Sequence, residues 1–291
     1  MKDEIFEKYR EAGAIAAKIL CQGAQGIRIG RSYLDLVECI ELRVREEGVS
    51  LAFPLNLSLN EDAAHDTASP ADSRVFEKGD VAKLDLGVHI DGYIADTATT
   101  VDLGSNTQLL AASEQALESA IRKVRPGSTA GELGAVIQQE IESRGYRPIA
   151  NLTGHGLDQY VLHRAPTIPN IGINGGTVLE EGMVFAIEPF ATTGSGHVGE
   201  KNRMEIYSQI SHKPVRIPAA RAILETVKDR NGLPFSRRWL KERKQDITLP
   251  TLVRSHTLHV YPVLSDIPGS LVSQHEHTVI VTGDGCFVTT R

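Results

Sequence analysis

Two stretches set 97 residues apart carry one pattern: IRIGRSYLDLVECIELRVREEG, Ile27 to Gly48, and VRPGSTAGELGAVIQQEIESRG, Val124 to Gly145. Gly30 aligns with Gly127, Leu36 with Leu133, Ile40 with Ile137, Val44 with Ile141 and Gly48 with Gly145. The matched apolar positions recur every four residues, which is one face of an amphipathic helix. Each copy opens on a capping-box pattern, Ser32-x-x-Asp35 and Thr129-x-x-Glu132, whose hydroxyl and carboxylate can satisfy the orphan amides of a first turn. Each closes on a glycine suited to a left-handed C-cap. Two readings stay open: capped helices that look alike by chance, or one domain built from two related halves around a shared sheet. A further helix is expected before each copy, at Asp3 to Gln22 and Thr107 to Lys123. Strands are expected at Leu51 to Leu59, in a hairpin from Val81 to Val101, and at Met183 to Phe190 and Thr278 to Thr282.

The whole chain of 291 residues is 41% hydrophobic, enough to bury a large core, and its length allows one large domain or two small ones. Its 31 basic and 37 acidic residues give a net charge of −6, which argues against a primary role in coating nucleic acid or an acidic membrane. Cys21, Cys39 and Cys286 form neither a disulfide framework nor a zinc-finger pattern, so a reducing compartment is expected. No apolar leader or membrane span is legible, and the expected location is the cytoplasm. Between Pro214 and Pro262 the texture changes. Helices are expected near Pro218 to Asp229 and Ser236 to Gln245, with a charged run from Arg237 to Lys244 that reads as a solvated face or a binding patch. This is taken as a helical insert, at about residues 205–262, within a single catalytic domain spanning residues 1–291.

The hairpin carries the first chemistry. Asp91-Gly92 is a two-residue turn tolerant of positive φ, so Asp85 faces Ala98, and Asp96 lies on the same face, diagonal to Asp85. Two carboxylates aimed at one place need a proton or a cation between them. Three further segments add donors: His155 between two glycines, Glu188 at the end of an apolar strand, and Glu276 within His275-Glu276-His277. Strand parity turns Glu276 away from both flanking histidines. Four carboxylates and an imidazole suit two divalent ions roughly 3.5 to 4 Å apart. The glycine-rich segment Gly194 to Lys201 invites a phosphate-loop reading, but Glu200 separates Gly199 from the lysine and no hydroxyl residue follows it.

The order Asp, Asp eleven residues on, then His, Glu and Glu, in the contexts LDLGVHIDGYIADTATT, TGHGLDQYVLH, EEGMVFAIEPF and SQHEHTVIV, resembles the methionine aminopeptidases. The stretch LAFPLNLSLNEDAAH, Leu51 to His65, and the 88-residue separation of Glu188 and Glu276 resemble the type II branch in its archaeal form. The resemblance implies an α+β "pita-bread" fold: two pseudo-twofold halves sharing a curved, antiparallel-rich sheet covered by helices. It implies Asp85, Asp96, His155, Glu188 and Glu276 as ligands of two divalent ions, whether Co, Mn, Fe, Zn or Ni. Glu188 would also shuttle the proton, His65 would contact the scissile amide nitrogen and His163 the carbonyl oxygen. Phe53, Leu162 and Tyr261 match the methionine pocket, and no pocket residue is assigned between Gly199 and Tyr207. The implied substrate is the N-terminal methionine of nascent polypeptides with a small second residue. The implied protein is a monomer that meets the ribosome surface but no membrane and no specific nucleic acid. Two rivals accompany it. Xaa-Pro aminopeptidases and prolidases share fold and ligands but usually carry an N-terminal domain for which the 84 residues before Asp85 leave no room. Catalytically silent relatives that bind RNA or ribosomes lose ligands, and here all five are retained.

Overall fold

The computed structural model describes residues 1–241 and 244–291. In chain order the elements are α1 (Asp3–Gly26), α2 (Tyr33–Glu46), β1 (Ser50–Leu51), β2 (Asn56–Leu59), β3 (Asp62–Ala64), β4 (Val81–Ile90) and β5 (Tyr93–Asp102). They continue with α3 (Thr107–Lys123), α4 (Ala130–Ser143), β6 (Arg147–Pro148), β7 (Thr153–Asp158), β8 (Val161–Pro169), β9 (Val184–Ile187), β10 (Phe190–Thr192) and β11 (Gly199–Gln209). The last third holds α5 (Pro218–Val227), β12 (Phe235–Ser236), α6 (Gln245–Arg254), β13 (Leu258–Ser265), β14 (Val272–Gln274), β15 (Glu276–Val281) and β16 (Cys286–Val288).

The repeat is structural. Ser32 and Thr129 cap α2 and α4 through the amides of Asp35 and Glu132, and the longer Glu132 side chain returns the bond to close a full capping box. Gly48 and Gly145 end both helices at φ 76° and 80°. The aligned Leu36, Ile40 and Val44, and Leu133, Ile137 and Ile141, are all buried. Even the bridges outside named strands recur, Ser32 with Val75 and Thr129 with Val178. Each helix pair covers its own half of one antiparallel sheet, in the order β1-β4-β5-β15-β9-β7-β8, with β2 beside β4 and β16 beside β15. This is the pita-bread arrangement. Two apolar clusters fill the space between helices and sheet, one around Tyr33 and Leu84, the other around Leu133 and Phe185.

Three stretches differ from expectation. Leu51 to Leu59 is split into β1 and β2, because Pro54 lacks an amide for the ladder. Met183 to Phe190 is likewise broken at Glu188-Pro189, between β9 and β10. In place of a helix from Ser236 to Gln245 there is a short 3₁₀ turn, Arg237–Trp239, and α6 begins only at Gln245 and continues through Pro250. Tertiary bonds decide this: Arg238 Nη2 and Trp239 Nε1 donate to the buried Glu41 carboxylate at 2.8 and 2.9 Å. Glu242 and Arg243 of the charged run lie outside the described residues. Helices α5 and α6 pack on a four-stranded sheet, β12-β11-β13-β3, so residues 205–262 are mixed rather than purely helical. Among the described residues no helix is long and apolar enough to cross a membrane.

Candidate active site

The site is assembled by sheet register. At the hairpin turn Asp91 and Gly92 both take positive φ, 52° and 86°, and Asp85 faces Ala98 as the turn spacing requires. Ala98 is in turn paired with Glu276 on β15, so Asp85 and Glu276 flank it in one row across three strands. Asp96 sits two residues along β5 from that row. His155 comes from β7 and Glu188 follows β9, whose Ile187 pairs with His277. The glycines beside His155 are steric necessities: a Cβ at Gly154 would strike Ala186 O of β9, and one at Gly156 would strike Ala165 O of β8. As parity requires, His275 and His277 turn elsewhere, to the hydroxyls of Ser113 and Thr290 at 2.8 Å.

One cavity of about 460 Å³ is lined by Phe53, His65, Asp85, Asp96, His155, Leu162, His163, Glu188, Tyr261 and Glu276. Acceptor atoms of Asp96, His155 and Glu276 lie within 4.8 Å of one another, and His155 Nε2 is 3.8 Å from Asp96 and 3.6 Å from Glu188. Asp85 Oδ1, Asp96 Oδ1 and Glu276 Oε1 are buried without a hydrogen-bond partner. Among the described residues no lysine or arginine pairs with these carboxylates. Desolvation pushes the Asp85 carboxyl up to about 7. Desolvation and then the neighbouring carboxylates push Asp96, Glu188 and Glu276 well above the ordinary range. Burial, and then His163, bring His155 down to about 3 and His65 down to about 4, so both imidazoles are neutral. Four crowded, desolvated, partly unpaired acids beside a neutral imidazole are an oxygen-rich donor set whose chemistry suits divalent cations. The residues therefore fit divalent metal.

The same cavity also has apolar lining, from Phe53, Leu162, Tyr261, Ile206 and Pro234, and Tyr261 meets His65 edge to face at 5.5 Å. Ile206 falls in the unassigned stretch; register shifts between Glu200 and Met204 and between Met204 and Ile206 break the alternation of β11 and hide it. Gln274 joins the site as well. Its amide donates toward Glu188 Oε2 at 3.5 Å and Glu276 Oε2 at 3.4 Å, and the parity argument used for Glu276 already places it on the same side two residues earlier. The glycine-rich segment binds an anion of the protein's own. Asp266 accepts from the amides of Ser195 and Gly196 and from the hydroxyls of Thr192 and Ser195.

Residues 7–225 match the model of metallopeptidase family M24, most of the chain, and the chain belongs to that family. Within it the chain sides with the methionine aminopeptidases. It is 49% identical, over all of both chains, to "Methionine aminopeptidase" of Archaeoglobus fulgidus. Among solved structures it resembles methionine aminopeptidase from Thermotoga maritima, with a TM-score of 0.75 and 24% identity over 100% of this chain and 98% of that one. It also resembles a thermophilic Arx1, with a TM-score of 0.90 and 20% identity over 99% and 91%. At those identities the two structures speak for the fold alone.

Proposed function

We propose that this cavity removes the N-terminal methionine from new polypeptides with a small second residue, as the full-length identity to named methionine aminopeptidases implies. Asp85, Asp96, His155, Glu188 and Glu276 hold two divalent cations in this reading. Bound there, the cations supply Lewis acidity: an acidified water, a polarised carbonyl and an anchor for the substrate's free amino group. What supports the reading most directly is that unpartnered carboxylate oxygens and apolar side chains line one cavity together.

The protein's own groups do the rest. Glu188 takes a proton from the attacking water and delivers it to the leaving amine. His65 Nδ1 lies 3.3 Å from Pro262 O, which can only accept, so the ring proton sits on Nδ1 and Nε2 is left as an acceptor for the scissile amide N–H. Partial desolvation, and then His259, lower the pKa of His163 although the residue is open to solvent, and its neutral ring keeps one N–H to donate to the carbonyl oxygen as charge builds there. Phe53, Leu162 and Tyr261 enclose the thioether. The insert at residues 205–262 belongs to the same catalytic unit, since Ile206, Pro234 and Tyr261 form part of the cavity wall. Which of Co, Mn, Fe, Zn or Ni is used follows availability as much as affinity. Three free cysteines and a net charge of −6 suit a cytoplasmic enzyme working where chains leave the ribosome.

Chelator-treated protein is expected not to release methionine from Met-Ala-Ser, with Co²⁺ or Mn²⁺ restoring release and an Xaa-Pro peptide left intact. Equal release with chelator present would sink the proposal, and preference for the Xaa-Pro peptide would turn it to a prolidase.

A further inference from the structure

His65 has φ of 65°, in the left-handed region that non-glycine residues seldom occupy and hold only where the surroundings over-determine it. The chain is tied on both sides of it. Ala64 pairs with Leu264, Leu57 N donates to Asp66 O at 2.8 Å, and Thr67 Oγ1 donates to Leu55 O at 2.7 Å. The next side chain, Asp66, is fully buried and accepts from Arg74 Nη1 at 2.5 Å and Arg203 Nε at 2.9 Å. Arg203, on β11, also donates through Nη2 to Thr67 O at 3.1 Å and to Asp72 at 2.9 Å. Arg74 donates to Asp72 at 2.8 Å and stacks on the Tyr33 ring at 3.9 Å. One planar guanidinium thus grips residues 66, 67 and 72 at once, a fork that a lysine cannot reproduce.

Buried ion pairs contribute little net stability beside well-packed apolar groups, so two arginines shared by Asp66 and Asp72 next to a strained histidine point to geometry rather than to stability. We propose that Asp66, Arg74 and Arg203 are a clamp of positioning residues that acts on the reaction only by aiming the His65 imidazole at the substrate. The proposal rests on the reading of His65 as a substrate contact. None of the three lines the cavity, and their effect passes through the backbone of residues 65–67.

A double-mutant cycle tests it, with Arg203→Met and His65→Ala made singly and together in the metal-loaded enzyme and kcat and KM measured on Met-Ala-Ser. A histidine misplaced by about an ångström costs up to about 100-fold, so Arg203→Met should lower kcat by about 10- to 100-fold with KM within about threefold. In the His65→Ala background the same substitution should cost nothing further. Arg203→Lys keeps the charge and secures a folded protein; it should show a smaller loss of kcat that also vanishes without His65. Equal losses in both backgrounds, for either substitution, would make the cluster merely structural and overturn the proposal. So would an unchanged kcat in both Arg203 variants. If His65→Ala alone leaves kcat unchanged, the reading of His65 is wrong and the clamp falls with it.

Discussion

Removing the cations should leave a protein strained by its own ligands, and Glu276→Gln should relieve that strain. Glu276 and Asp96 are 1% and 3% exposed, with ligand atoms within 4.8 Å. Two unit charges at that distance repel by about 3.5 kcal/mol at an effective dielectric constant near 20. Without cations the folded protein escapes by holding protons: burial keeps Asp85 at about 7, and desolvation and the neighbouring carboxylates push Asp96, Glu188 and Glu276 well above the usual carboxylate range. Unfolded, the same groups titrate near about 4. Raised folded values mean the native state binds more protons. The stabilisation is therefore complete below about pH 4 and is lost as pH rises toward the folded pKa values, by about 1.4 kcal/mol per pH unit for each retained proton. Urea unfolding in chelator between about pH 6 and about pH 8 should show this falling stability. Glu276→Gln keeps an acceptor for the Gln274 amide and deletes one charge. It should raise the stability of the metal-free protein at pH 8 by about 1–3 kcal/mol, flatten the pH slope and abolish most of the stabilisation by Mn²⁺. A variant less stable than wild type in chelator at every pH would refute the reasoning, because the carboxylate would then be held by partners rather than crowded by neighbours.

Glu188→Gln should lower kcat at least about 100-fold, in line with loss of a general acid–base group; turnover within about tenfold of wild type would remove its shuttle role. Gly87→Ala would drive a methyl group into the Phe53 ring. It is expected to destabilise by about 1–3 kcal/mol and to raise KM for the methionine peptide, measured by melting and steady-state kinetics. Burial alone would raise the Asp72 carboxyl, but hydrogen bonds and charge from Arg74 and the amide of Ser69 hold it well below the usual range. Its stabilisation is thus present above about pH 4 and lost as pH falls below that value, and Asp72→Asn should flatten the acid limb of an unfolding-versus-pH profile.

What could be read from the sequence was local or periodic. The Asp91-Gly92 turn fixes its own hairpin register, and alternation along β15 separates Glu276 from His275 and His277 without knowledge of any other strand. The matched Leu36, Ile40 and Val44 face is a property of one helix. What was hidden depended on partners far along the chain. The turn at Arg237–Trp239 follows from Glu41, about two hundred residues away, which no local propensity encodes. Arg203 and Ile206 lie on a strand whose register shifts erase the two-residue period. Gln274 is within reach of the parity argument, but an uncharged amide carries no pattern of its own that marks it as part of an acidic site.

The substrate cavity has a consequence for synthesis of the protein itself. Phe53 and His65 come from the first quarter of the chain, Leu162 and Glu188 from its middle, and Tyr261 and Glu276 from near its end. His65 is held by a carbonyl 197 residues downstream. Arg230 pins the loop carrying Phe53 through the carbonyls of Leu51 and Ala52 at 3.0 and 3.1 Å. A growing chain therefore has no partial specificity for methionine while it is being made. Recognition and catalysis arrive together, once the last strands have entered the sheet.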